Sequence, residues 1–251
     1  MDAPVEIRSR LPRVGTTIFT TMSALAAEHG AVNLGQGFPD FDCDPKLVAL
    51  VHEAMRAGHN QYAPMTGVPA LRRAIATKVE ACHGVRYDAD AEITVTAGAT
   101  QGLMAAILCS VQPGDEVIVL EPCYDSYVPG IELAGGVPVY VTMDAPDYRF
   151  PVERIAAALT PKTGLLLLNT PHNPTGRVFG ADDLRSLADL LSDTRVLVVA
   201  DEVYEHIVFD GATHESVARH PGLAERAFLV SSFGKTLHAT GWKVGYVCAP
   251  A

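Results

Sequence analysis

Lys235, in Ser231-Ser232-Phe233-Gly234-Lys235-Thr236, lies downstream of Asn173-Pro174-Thr175-Gly176 and of Asp201-Glu202-Val203-Tyr204. A lysine amine can condense with an aldehyde to an imine and, once displaced, carry a proton as a general base. An aspartate at the end of an apolar strand needs a cation or a donor to offset its desolvation, and a protonated ring nitrogen is such a partner. An amide and a phenol, Asn173 and Tyr204, can hydrogen-bond a ring hydroxyl. Each signal is weak alone. In this order along one chain they fit a pyridoxal phosphate site, with Lys235, Asp201 and Tyr204 as its catalytic residues.

Other segments add parts of the same site, and each also has a plainer reading. Thr96-Ala97-Gly98-Ala99-Thr100-Gln101 joins a strand to a helix through small residues, leaving the first helical N–H groups free to face a phosphate. It is equally an ordinary Gly-rich turn. Ser232 and Lys243 add a hydroxyl and a positive charge. Asn169-Thr170-Pro171-His172-Asn173-Pro174-Thr175-Gly176 fixes a turn that can aim Asn173 inward, through a cis Asn173-Pro174 bond, or can be a turn and nothing more. Tyr124 can stack on a ring or simply pack. Asp201 can be a helix cap or a magnesium ligand. Most lysines are solvated, but burial and nearby positive charge at Lys235 would favour the neutral amine that attacks an aldehyde.

These residues need a frame that gathers them. From Glu92 onward, short Val/Ile/Leu-rich runs alternate with helical stretches: Ile93 to Thr96, Val117 to Leu120, Val137 to Val141, Leu165 to Leu168, Val196 to Ala200 and Phe228 to Val230. This pattern predicts an α/β fold with a mostly parallel sheet. A seventh run, Val244 to Cys248, follows too closely for a helical crossover and is expected to be antiparallel. Gly98-Ala99-Thr100, Tyr124, Asn173, Asp201 and Ser232 each follow a strand's last apolar residue, at the carboxyl edge where open α/β sheets bind ligands. Upstream, Asp44-Pro45 predicts a helix through about Ala57, and Pro69 opens another that ends near His83-Gly84. The first forty or so residues, ending in Asn33-Leu34-Gly35-Gln36-Gly37-Phe38-Pro39-Asp40, lack sustained periodicity and read as an arm with a substrate-facing turn. The expected domains are residues 1–40 and 41–251.

Composition narrows the class of ligand. A chain of 251 residues, 48% hydrophobic and 19% charged, can bury a large core, and its net charge of −10 without a long basic cluster disfavours nucleic acid. No signal-peptide core or membrane-length apolar run is evident, so the expected location is the cytoplasm. Five scattered cysteines without a Cys-x-x-Cys pair read as free thiols. The nine histidines show no ligand spacing, and no metal is expected.

With these motifs in place, the chain resembles the fold-type I, class I and II aminotransferases. Asn33 to Asp42 and Gln61-Tyr62-Ala63-Pro64-Met65-Thr66-Gly67 are similar to the methionine and kynurenine aminotransferase branch, and the resemblance covers essentially the whole chain. It implies the large domain of that fold, a seven-stranded mostly parallel sheet flanked by helices, with pyridoxal 5'-phosphate as cofactor. It implies that Gly98, Ala99, Thr100, Ser232 and Lys243 hold the phosphate, that Tyr124 stacks on the ring, and that Asn173 and Tyr204 bind the ring hydroxyl. Asp201 would pair with the ring nitrogen and Lys235 would be the imine lysine. Tyr62 would reach the phosphate of a neighbouring subunit, implying a homodimer. Gly37, with Tyr124 and Asn173, would contact substrate. The reaction implied is ping-pong transfer of an amine from methionine or an aromatic amino acid to a 2-oxoacid. Phe19, Phe38, Met65 and Tyr124 are candidate pocket walls. The resemblance also implies that Ala251 falls short of an interdomain helix and most of a small domain, including an arginine that grips the substrate carboxylate, so amino-acid affinity is expected to be poor.

Two enzymatic alternatives and one inactive one compete. A carbon-sulfur β-lyase can use the same lysine, aspartate and phosphate cup. A catalytically impaired fragment would bind cofactor without turnover. Gly234-Lys235-Thr236 and Val198-Val199-Ala200-Asp201-Glu202 mimic a P-loop NTPase, but that loop needs glycine where Leu229 stands, and its lysine normally precedes the aspartate strand.

Overall fold

A run such as Leu165-Leu166-Leu167-Leu168 has no polar face to turn toward water, so as a strand it must be covered on both sides. In the computed structural model, which describes residues 8–12, 14–37, 39 and 41–251, Leu165 and Leu167 join one core cluster while Leu166 and Leu168 join another. The chain divides into two compact units, Met1–Asp42 and Cys43–Ala251.

In the first unit the expectation of an arm without periodicity fails, because helix α1 spans Ile18–Glu28. The Thr17 hydroxyl caps it by accepting from Thr20 N, and Ile18, Met22 and Leu25 recur at helical spacing. That periodicity is short and was masked by the polar residues around it. Phe38 and Asp40 lie outside the described residues.

The second unit holds a seven-stranded sheet: β1 (Ile93–Thr96), β2 (Glu116–Glu121), β3 (Val137–Thr142), β4 (Thr163–Asn169), β5 (Leu197–Asp201), β6 (Ala227–Ser232) and β7 (Gly245–Cys248), in the order β1-β7-β6-β5-β4-β2-β3. Strands β2 to β6 pair in parallel. β7 is antiparallel to both β6 and β1, so β1 runs with the others and the carboxyl ends of β1 to β6 share one edge. The predicted antiparallel seventh strand is therefore present, because only the two short turns of residues 233–244 separate it from β6.

The helices are α2 (Pro45–Arg56), α3 (Pro69–His83), α4 (Gly98–Ser110), α5 (Tyr127–Ala134), α6 (Val152–Ala158), α7 (Ala181–Leu191), α8 (Pro221–Ala224) and α9 (Phe233–Thr236). Asp44 caps α2, accepting from Lys46 N at 2.8 Å, and Gly84 closes α3 with a φ of 73° that suits a residue without Cβ. Helices α4 and α5 cover one face of the sheet against Val117, Val119, Val199 and Val230. Helices α3, α6, α7 and α8 cover the other against Ile118, Leu120, Val198 and Leu229. Among the described residues, no helix is long and apolar enough to cross a membrane.

Immediately after β5, the chain carries two buried carboxyl groups. Glu205, 5% exposed, accepts from Lys78 Nζ and Ser231 Oγ at 2.5 Å each, and its other oxygen lies 3.1 Å from His83 Nε2. Burial would raise its pKa, but these partners outweigh it and hold the carboxyl well below its usual range. Glu202, fully buried, meets His214 Nε2 at 2.8 Å and accepts from Val217 N at 2.9 Å. Charges this deep are tolerated only with such partners. They tie α3, β6 and the segment before α8 to the loop that carries Asp201 and Tyr204.

Candidate active site

Alternation along β5 decides where Asp201 faces. Val199 lies in the cluster under α4 and α5 and Ala200 in the opposite one, so Asp201 returns to the α4/α5 face. There it accepts a hydrogen bond at 2.7 Å on Oδ2 from the hydroxyl of Tyr127, the first residue of α5, while Oδ1 accepts from Val203 N at 3.3 Å. Burial pushes its pKa up to about 6, against the pull of Tyr127, the Val203 amide and Lys235. Its register partner Asn169, at the end of β4, donates from Nδ2 to the Asp201 carbonyl at 2.8 Å and accepts from Asn173 N at 2.7 Å. Asn169 thus clamps the 169–176 turn, in which the Asn173-Pro174 and Thr170-Pro171 bonds are both cis.

Lys235 sits on α9, directly after β6, with Nζ 5.4 Å from the centroid of the Tyr204 ring. Burial lowers its pKa, opposed by Asp201 and assisted by the neighbouring Lys243 charge. That is the direction an amine needs to act as a nucleophile near neutral pH. The Tyr204 and Tyr124 phenols are both raised, chiefly by burial; Asp201 adds to each, and the hydroxyls of Thr100 and Ser126 pull Tyr124 back. Both phenols therefore stay protonated donors. Tyr124 and Tyr127 meet edge to face at 5.6 Å.

The third part is the amino end of α4. Its first residue, Gly98, has a φ of 74°, its N-cap Ala97 supplies no side-chain cap, and its early N–H groups are left for another acceptor. A Cβ on Gly98 would lie 3.4 Å from Lys243 Nζ, so the ammonium sits at this helix end. Two glycines let α4 come this close to the sheet. A Cβ on Gly102 would be 2.9 Å from Val247 Cγ2, and one on Gly245 would be 2.6 Å from the Gly98 carbonyl carbon and 2.7 Å from Ala99 N. Ser232, 8% exposed, ends β6 and pairs in register with Gly245. The arrangement offers N–H groups, hydroxyls and one ammonium to an anion. Gly245→Ala must displace backbone, because backbone atoms meet the added methyl. It is expected to cost about 1–3 kcal/mol of stability and to weaken an anion bound at this helix end on the order of 10-fold, read by thermal unfolding and by titration with inorganic phosphate.

The carboxyl edge thus brings together Gly98, Ala99, Thr100, Tyr124, Asn173, Asp201, Tyr204, Ser232, Lys235 and Lys243. Tyr62 and Met65 stand apart, each fully exposed. Gly37 and Phe19 belong to the first unit, where Gly37 is exposed. Sequence reasoning missed Tyr127, Asn169 and Gly245. Asn169 closes an apolar run four residues before Asn173, a signal that was available; Tyr127 and Gly245 are marked only by contacts across the fold.

The family model described as aminotransferase class I and II matches residues 29–251. The chain belongs to this family. Among the relatives of this aminotransferase chain, methionine aminotransferase of Escherichia coli (strain K12) is 52% identical over 248 residues, which are 99% of this chain and 64% of that protein. The crystal structure of YbdL from Escherichia coli, described as identifying a methionine aminotransferase function, superposes with a TM-score of 0.96 over 98% of this chain and 65% of that one. The probable N-succinyldiaminopimelate aminotransferase DapC of Mycobacterium tuberculosis (strain ATCC 25618 / H37Rv) is 46% identical over 97% of this chain and 62% of its own length. The aminotransferase chain therefore spans a little under two thirds of the relatives it matches.

Proposed function

We propose that this chain binds pyridoxal 5'-phosphate and is the cofactor-holding part of an enzyme that moves an amine from an amino acid to a 2-oxoacid. The observation that carries the reading is the pairing of a partly buried amine, Lys235, with a buried carboxylate, Asp201, at one strand edge beside an anion-holding helix end. The donor set fits the group part by part. Gly98, Ala99, Thr100, Ser232 and Lys243 suit the phosphate, the Tyr124 ring suits the face of a pyridine, and Asn173 and Tyr204 suit its hydroxyl. When bound, the cofactor supplies an aldehyde and a protonated ring that accepts electrons from the substrate's α-carbon. Asp201 keeps that ring nitrogen protonated. Lys235 gives the covalent attachment and then carries a proton to and from the α-carbon.

Methionine or an aromatic amino acid is the favoured donor, since the 52%-identical relative is a methionine aminotransferase and a 38%-identical one from Dictyostelium discoideum is a kynurenine–oxoglutarate transaminase. Full exposure of Tyr62 and Met65 supports a homodimer in which Tyr62 completes the neighbouring phosphate site. The cytoplasm is the proposed location. The test is an absorption spectrum of the purified chain with pyridoxal phosphate, before and after excess methionine. A visible band that bleaches as oxoacid appears supports transamination by this chain; a band that persists supports cofactor binding alone. Absence of any band would overturn the assignment, and release of pyruvate and a thiol from a cysteine conjugate would favour a β-lyase.

A further inference from the structure

Asp201 has two oxygens, and the fold treats them differently. Oδ2 receives the Tyr127 hydroxyl at 2.7 Å, a short bond between two side chains that are 3% and 5% exposed. Oδ1 has the Val203 amide at 3.3 Å, a long contact that leaves most of its acceptor capacity available. Tyr127 also braces Tyr124 edge to face. One side chain, locked at the start of α5 with the α4/α5 core around it, thus holds both the carboxylate and the ring proposed to face the cofactor.

We infer that Tyr127 is a positioning residue for Asp201: its hydroxyl occupies Oδ2, holds the carboxylate as an anion, and reserves Oδ1 for the N–H of a protonated heteroaromatic ring. This rests on the pyridoxal phosphate reading for the identity of the ring, but not for the bond to Asp201. Burial works against an anion here, and the groups set against it on the surrounding elements are few. Tyr127 comes from α5, Lys235 from α9 and the Val203 amide from the same loop, with Glu202 opposing them and the protonated phenols of Tyr124 and Tyr204 nearby. The Tyr127 hydroxyl itself is raised well above its ordinary value, first by burial, so it is a protonated donor near neutral pH. A hydrogen bond to a charged acceptor commonly moves a titration by about 1–2 pH units.

The test uses cofactor-free protein labelled with carboxyl-13C aspartate, with the Asp201 resonance assigned from Asp201→Asn. Tyr127→Phe keeps the ring and its contact with Tyr124 but removes the donor. It should move the Asp201 midpoint upward by about 1–2 pH units. Fluorotyrosine at position 127, which keeps the shape and strengthens the donor, should move it downward, and this second variant decides the matter if Tyr127→Phe folds poorly. Pyridoxal phosphate affinity should begin to weaken at a correspondingly higher pH in Tyr127→Phe, and this penalty should vanish in an Asp201→Asn background. An unmoved Asp201 titration in either variant, or an equal penalty in the Asn background, would overturn the inference and leave Tyr127 as packing. A chain that binds no pyridoxal phosphate but shows the shifted titration would retain the bond's role and reject the cofactor.

Discussion

Lys235→Ala is expected to abolish the borohydride-reducible adduct between this chain and pyridoxal phosphate while leaving noncovalent binding. The two are separable because the proposed attachment depends on one amine, whereas the proposed affinity is shared among the α4 amides, Thr100, Ser232, Lys243 and the ring contacts. Surface lysines also form reducible adducts, so the readout is peptide mapping of the reduced protein, with the label confined to the Ser231–Thr236 segment in the unaltered chain. The same variant removes the proposed proton carrier, and exchange of the α-proton of a bound amino acid should fall by about 10²–10⁴-fold. An adduct that persists at the unaltered level on another single lysine would remove Lys235 from its proposed role.

Asp201→Asn has the second largest expected effect, and it falls on chemistry instead of attachment. The adduct should form normally, but the 15N resonance of labelled cofactor should report an unprotonated ring, and α-proton exchange should drop on the order of 10²–10³-fold, the usual worth of one buried electrostatic partner. Stability moves the other way. Burial raises the Asp201 pKa from 3.8 to about 6, so the folded chain holds this proton more tightly than the unfolded one. Folding therefore loses stability as pH rises from about 4 to about 6, and that loss is in full force above it. Asparagine carries no such cost. At pH 8 the cofactor-free variant should melt no lower than the parent, and added pyridoxal phosphate should stabilise the parent more, because its ring cation offsets the buried charge. A protonated ring nitrogen in Asp201→Asn, with exchange unimpaired, would refute the pairing.

Both predictions rest on residues that are legible in the sequence. Lys235 and Asp201 stand at the ends of apolar runs, and an apolar run that stops abruptly at a charged residue places that residue at a strand end. The same reasoning found Ser232 and the Gly98–Thr100 turn. It does not reach α1, where Ile18, Met22 and Leu25 span only about two turns of helix, too short a run for the period to stand out. It also failed on Tyr127, since nothing in Tyr124-Asp125-Ser126-Tyr127 tells which tyrosine will face a carboxylate 74 residues later.

By itself, the sequence determined the sheet, its mostly parallel character, the antiparallel last strand and the edge at which the chemistry gathers. These follow from local period, run length and turn residues, properties that neighbours along the chain share. The tertiary structure decided the rest. It set the bond from Tyr127 to Asp201, the approach of α4 to Gly245 that brings the Gly98 helix end to Lys243, and the burial of Glu202 and Glu205 on the loop that follows Asp201. Each depends on which residues meet across strands and helices, and on the low dielectric created when they do, and neither can be computed from a residue's neighbours in sequence.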